Sequence, residues 1–264
     1  MNGRTDFAPI ATALGKAVAE FGAGNSRRSA DARERTVKTN SEAIGARGDL
    51  LLDLLNKASG RGVQGLTLAD LGAGFGALSA YFAAAGAHVT AVDVNRSHLE
   101  IGKSVAHDFG LPIQLVESRM EAPLPLDSES FDVVVQNNSF CYLTDPIDRA
   151  SAIHESHRIL KPGGWLIRRD PSRTAPVDPF TGLPLLHLLP PNAATRVAER
   201  LGRRRPPVRL VSYHRARREL SSAGFRCLPW REPSTGRRGL TARMLGLHHN
   251  VVAQRLPDEV ACDG

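Results

Sequence analysis

The chain has 264 residues, 42% of them hydrophobic and only 5% aromatic, which suits one large aliphatic core with appendages. Its cysteines, Cys141, Cys227 and Cys262, are odd in number and far apart, which excludes a disulfide framework and a cysteine metal site; no metal centre is expected. No apolar run approaches the roughly 18–20 residues that span a bilayer, and Asp6, Gly15 and Lys16 interrupt the N-terminal apolar stretch, unlike a secretory leader. The expectation is a soluble, cytoplasmic protein. Its net charge of +7 draws anions but does not by itself make a nucleic-acid binder.

Residues 1–62 read as a helical N-terminal extension. Ala8 to Phe21 forms an amphipathic helix, residues 22–36 read as a mobile linker, and a second helix starts near Asn40 or Ser41 and runs to about Lys57. From Leu66 the texture becomes strand–helix alternation. Strands are expected at Leu66–Leu71, His88–Asp93, Ile113–Glu117, Phe131–Gln136 and Trp165–Arg168, and helices at Leu78–Ala85, Ser97–Asp108 and Arg149–Leu160. That alternation predicts a doubly wound, mostly parallel α/β sheet. Residues 170–211 break the rhythm with Pro171, Pro176, Pro179, Pro184, Pro190 and Pro191, and read as a lid-like insertion. A helix at Ser212–Ala223, a strand at Phe225–Trp230, a basic irregular stretch over 231–248 and a last strand at Asn250–Arg255 complete the chain.

The strongest motif is Asp70-Leu71-Gly72-Ala73-Gly74-Phe75-Gly76, between a strand and a helix. Glycines there allow positive φ and close approach of a ligand, and in such a sheet this first turn lies at the binding edge. Asp93 ends the next strand, where a carboxylate can accept from both ribose hydroxyls. Gly72, Gly74 and Ala77 also satisfy the dinucleotide pattern, so an NAD(P)-dependent oxidoreductase is one alternative. Asp70, at the strand tip, argues for a cationic ligand instead. A pyrophosphate there meets a negative charge, whereas a cation at ~4 Å gains about 4 kcal/mol before desolvation.

Together with Phe131-Asp132, Leu160-Lys161-Pro162-Gly163-Gly164 and Ala223-Gly224-Phe225, the motif resembles the class I S-adenosylmethionine-dependent methyltransferases, above all their small-molecule branch of the ubiquinone-biosynthesis type. The resemblance covers residues 64–168 closely and 212–255 loosely. It implies a seven-stranded Rossmann-like sheet with an antiparallel last strand. It implies S-adenosylmethionine as cofactor, leaving S-adenosylhomocysteine. Gly72 and Gly74 would meet its methionine part, Asp70 its ammonium, Asp93 the ribose, Val94 and Met120 the adenine, and Asn137 the methionine end. Arg119 departs from the family, which often carries an acid there; Glu121 or Ser118 would have to replace it.

The resemblance leaves the acceptor open. A small molecule or glycan, anionic or neutral, methylated at oxygen is the first expectation, and an RNA or DNA methyltransferase is the other alternative. Asn137-Asn138-Ser139-Phe140 lacks the two prolines of the amino-methylating nucleic-acid enzymes, so no nucleic-acid partner is expected. His187, in the insertion, and Asp170, at the tip of the fifth strand, are the catalytic candidates, with Tyr142 and Arg169 next. Arg203-Arg204-Arg205 and Arg215, Arg217 and Arg218 are the basic clusters that could meet an anion. The chain is expected to be a monomer or homodimer.

Overall fold

A computed structural model describes residues 7–24, 30–229 and 248–257. Three helices lead in: α1 (Ala8–Ala23), α2 (Ala30–Asn40) and α3 (Glu42–Ser59). Then follow β1 (Thr67–Leu71), α4 (Ala77–Ala84), β2 (His88–Asp93), α5 (Arg96–Asp108), β3 (Ile113–Glu117), β4 (Phe131–Asn137), α6 (Pro146–Ile159) and β5 (Leu160–Pro171). After the insertion, which holds α7 (Pro191–Arg200), come α8 (Tyr213–Ser221), β6 (Phe225–Cys227) and β7 (His248–Arg255).

The sheet runs β3-β2-β1-β4-β5-β7-β6. β1 to β5 are parallel, and β7 lies antiparallel between β5 and β6. Burial on both faces explains the near-continuous apolar strands. Leu68, Val133, Val135, Ile167 and Val252 face a core shared with α3 and α4, while Ala69, Leu71, Val134, Leu166 and Val251 face one shared with α6 and α8. The helices start where capping chemistry allows. Asn95 accepts from the His98 N–H at 3.1 Å, Asp145 from Ile147 at 2.7 Å with Pro146 following, and Ser212 from Arg215 at 3.3 Å.

Two expectations need correction. The stretch read as a linker over 22–36 contains α2 from Ala30 onward; residues 25–29 lie outside the described ones. Its charged residues, Arg, Glu and Lys, are good helix formers, and neither Gly nor Pro interrupts it. Ser41 does flank α3, but its hydroxyl donates to the Val37 carbonyl at 2.8 Å, so it closes α2 rather than capping α3. The stretch 231–247 also lies outside the described residues. Among those described, no helix is long and apolar enough to cross a membrane.

The insertion is ordered by one buried carboxylate. Asp178 accepts from the N–H groups of Phe180 and Thr181 and the Thr181 hydroxyl through Oδ1, and from Arg205 Nε at 2.8 Å through Oδ2. Arg203 donates to the Thr181 carbonyl at 3.2 Å. Two members of the Arg203–Arg205 cluster are therefore internal ties. In the second cluster, Arg215 pairs with Glu219 at 3.2 Å.

Candidate active site

A cavity of about 540 Å³ opens at the carboxyl ends of β1, β2 and β4. Its floor is the glycine turn. The N–H groups of Gly72 and Ala73 donate to the Val92 carbonyl at 2.8 and 3.0 Å, tying the turn to β2. Gly72 sits at φ +80°, and a Cβ there would fall 2.3 Å from Ser139 Cβ, so only glycine fits. Gly74, at φ +56°, has open space where its Cβ would be. Asp93 joins this turn to the next one: Oδ2 accepts from Gly74 N–H at 2.8 Å and Oδ1 from Asn95 N–H at 2.9 Å. Each oxygen keeps a lone pair for a further donor.

The walls carry the other expected cofactor residues. Val94 is 61% exposed at the cavity edge, an apolar surface awaiting a flat partner. Met120 and Asn137 also line the cavity, as does Glu121, which accepts from the exposed Arg119 at 2.6 Å. Ser118 and Glu121, the two candidates to replace the family's acid, both line the cavity. Asp70 lines the cavity although it is almost fully buried, and it accepts from the Ser79 hydroxyl at 2.7 Å. Burial raises its pKa to about 6, the Ser79 hydrogen bond opposes that rise, and the nearby Asp93 adds to it.

The structure does not bring His187 or Asp170 to this cavity. His187 is buried inside the insertion with Nε2 3.1 Å from the Arg173 carbonyl. Asp170 is buried on the α6 side of the sheet and accepts from the Cys141 N–H at 3.2 Å. Burial holds its pKa up, against the pull of Arg168 and Arg149. Strand alternation explains the placement: Arg168 and Asp170 point to one face, and Arg169 to the other. Arg168 is fully buried, 3.5 Å from the Phe140 ring centre, with Arg149 at 4.4 Å from the same ring. Arg149 pairs with Glu219 at 2.7 Å.

Arg169, by contrast, contacts two residues of the cavity wall without lining the cavity itself. Its Nη1 lies 3.5 Å from Asn137 Oδ1 and 3.4 Å from Asn138 Oδ1. Tyr142 is on the same wall and meets Phe180 of the insertion edge-on at 6.2 Å. Arg47 of α3 also lines the cavity. Sequence reasoning missed it, although a signal was present. Ile44, Gly48 and Leu51 form the buried stripe of α3, and Arg47 places a charge beside it.

Residues 69–168 match the family model described as a methyltransferase domain. With the antiparallel β7 between β5 and β6, which a dinucleotide-binding sheet lacks, this decides between the two readings of the glycine turn. Over residues 69–168 the chain carries a class I S-adenosylmethionine-dependent methyltransferase domain. It is similar to a ubiquinone biosynthesis O-methyltransferase of Alkalilimnicola ehrlichii, 31% identical over 118 residues, 45% of this chain and 46% of that protein. A ubiquinone/menaquinone biosynthesis C-methyltransferase of Vibrio parahaemolyticus is 33% identical over 133 residues, 48% of this chain and 50% of that one. The chain thus spans about half the length of the curated relatives it matches. Among solved structures, an S-adenosylmethionine-dependent methyltransferase of Mesorhizobium loti superposes with a TM-score of 0.56 at 20% identity, over 73% of this chain and 92% of that one. Another, from Aquifex aeolicus, gives 0.54 at 18%, over 77% and 88%.

The cofactor of this family is S-adenosylmethionine, and the methyltransferase domain here has residues that fit it. The empty space above Gly74 admits a ligand at the backbone. The spare lone pairs of Asp93 suit a vicinal diol, the bare Val94 suits an aromatic ring, and the buried Asp70 suits a cation.

Proposed function

We propose that the chain transfers a methyl group from S-adenosylmethionine to an oxygen of a small-molecule acceptor. The observation that carries the reading is the glycine turn stitched to Asp93 by the Gly74 N–H at 2.8 Å, below a cavity of about 540 Å³. That volume is within the usual range for a small-molecule site. Oxygen as acceptor atom rests on similarity to proteins named O-methyltransferases.

When bound, the cofactor supplies a sulfonium methyl group for in-line displacement. In this assignment Asp93 holds the ribose hydroxyls, Val94 and Met120 cover the adenine, and Glu121 accepts from its amino group. Gly72, Gly74 and Asn137 meet the methionine part, Asp70 faces its ammonium and Arg47 its carboxylate. The catalytic task left to the chain is to orient the acceptor and exclude water. The insertion serves as the lid, reaching the wall where Phe180 meets Tyr142. Neither His187 nor Asp170 touches the reacting atoms in this reading. Each is fixed by its own neighbours, Arg173 and Cys141.

Calorimetric titration with S-adenosylmethionine, S-adenosylhomocysteine and NAD, each separately, tests the reading. Micromolar binding of the first two and none of NAD is expected. Asp93→Ala loses two charge-assisted hydrogen bonds to the ligand, which weakens binding about a hundredfold or more. NAD binding alone, or unchanged affinity in Asp93→Ala, overturns the assignment.

A further inference from the structure

The charges at the carboxyl end of β5 do not balance among the described residues. On the α6 side, Arg149 is matched by Glu219 and Arg168 lies beside Asp170. On the other face, Arg47 lines the cavity and Arg169 contacts its wall at Asn137 and Asn138, and neither arginine has a carboxylate partner among the described residues. They feel each other: Arg169 is pushed down to about 10 by burial first and by Arg47 next, and so keeps its charge at neutral pH.

The third strand of this corner adds two more polar groups. In the β5–β7 ladder Arg169 lies opposite Asn250, and Pro171 opposite His248, so both side chains share the Arg169 face. Asn250 is 8% exposed, yet its Oδ1 has no hydrogen-bond partner among the described residues. The Nε of Arg169 is likewise buried and unpartnered, and its two contacts to Asn137 and Asn138 are long ones. The His248 ring is kept neutral by burial and by the two arginines, with its pKa lowered to about 3. Of these groups only Arg169 Nε is a donor without an acceptor, and such a buried donor is costly unless a ligand completes it.

The bound cofactor cannot complete them all. It brings one carboxylate, which Arg47 can take, and its sulfonium adds a further positive charge rather than a negative one. We infer that the methyl acceptor is an anion, a small molecule bearing a carboxylate or phosphate, and that Arg169 is the residue that holds it. The inference rests on the methyltransferase reading above and names its substrate class. It moves the anion site away from the arginine clusters at 203–205 and 215–218, where Arg205 and Arg215 already have carboxylate partners.

The test is a titration of the full chain, saturated with S-adenosylhomocysteine, by benzoate, by phenyl phosphate and by neutral benzamide. At least one anion is expected to bind about tenfold or more tightly than benzamide, as befits a charge-assisted bidentate contact. The stronger of the two distinguishes carboxylate from phosphate. Arg169→Gln abolishes that preference while its S-adenosylhomocysteine affinity stays within about threefold, and Arg169→Lys, which keeps the charge, retains part of it. The wild-type comparison decides even if Arg169→Gln does not fold. Equal binding of anions and benzamide, no binding of any, or a preference that survives in Arg169→Gln overturns the inference. The cofactor titration is read separately, so its failure sinks the methyltransferase reading and is not confused with failure of the anion site.

Discussion

The two ends of the cavity are built by different means. The cofactor end is mostly backbone, with the turn Gly72–Gly76, one carboxylate at Asp93, and main-chain N–H groups that hold the two together. The far end is all side chains: Arg47 of α3 lines it, and Arg169 of β5 and His248 of β7 interact with Arg47, with about 200 residues separating Arg47 from His248. A backbone cradle needs glycine at fixed spacing, so it writes itself into a short stretch of sequence. A side-chain constellation needs only that three strangers be brought together, and leaves no local pattern.

The largest expected effect separates packing from binding within the cradle itself. Gly72→Ala forces a Cβ to 2.3 Å from Ser139 Cβ, at a position whose hydroxyl holds the Leu71 carbonyl at 2.8 Å. Chain and neighbour must both move, and the variant is expected to lose several kcal/mol of stability along with cofactor binding. Gly74→Ala meets nothing within 4 Å, so its own cost is the left-handed backbone at φ +56°, about 1–2 kcal/mol. Its methyl group intrudes only on the ligand. Thermal melting with S-adenosylhomocysteine titration should therefore show Gly74→Ala folded but at least about tenfold weaker in binding, a loss of about 1.4 kcal/mol or more. Equal melting losses in both variants would break the distinction.

A medium effect comes from Asp70, where stability and binding oppose each other. Its folded-state pKa of about 6 lies above the ordinary 3.8, so the native state holds the proton more tightly than the unfolded chain. Between those two values rising pH lowers stability, and above about 6 the buried charge costs of order 3 kcal/mol. A cation in the cavity pulls the pKa back down. Cofactor affinity is therefore expected to fall as pH drops below about 6. Asp70→Asn should melt a few degrees higher without ligand, a gain of roughly 1–2 kcal/mol, and bind S-adenosylmethionine about tenfold more weakly. A variant no more stable than the wild type would mean that the carboxylate is better solvated than its burial indicates.

This contrast also explains what could be read in the sequence. The sheet was legible because buried parallel strands are uniform apolar runs with turn residues between them: β2 and β3 fall where they were expected, and β1 and β4 within a residue. β5 runs longer at both ends, since pairing with β4 and β7 continues past its apolar centre. The helix at Ala30–Asn40 was hidden by its charge density, which resembles a linker until the helix is seen packed on α1. At the site, Asp70, Gly72 and Gly74 stand in the motif itself, and Asp93 at the end of the next strand. His187 and Asp170 were chosen for chemistry and chain position, and neither criterion sees which face of a strand a side chain takes. Arg169, one residue away from Asp170, has the orientation that Asp170 lacks.

The smallest effect tests the far end alone. His248 faces Arg169 on β5 and Arg47 on α3, with His249 beside it on β7, and burial together with these groups lowers its pKa from 6.5 to about 3. The native state thus refuses a proton that the unfolded chain accepts, so this residue's contribution is lost as pH falls below 6.5 toward 3. Acidified from pH 6.5 to 4.5, the wild type should lose about 1–2 kcal/mol more stability than His248→Gln, as read from urea unfolding at each pH. An anion bound between the arginine pair and the ring would offset their repulsion, raise the pKa and reduce that loss. Benzoate should then reduce the acid-induced loss in the wild type and leave the pH dependence of His248→Gln unchanged. The two ends of the cavity would thus respond to acid in opposite directions, the cofactor end weakening as Asp70 takes up a proton and the acceptor end tightening as His248 does.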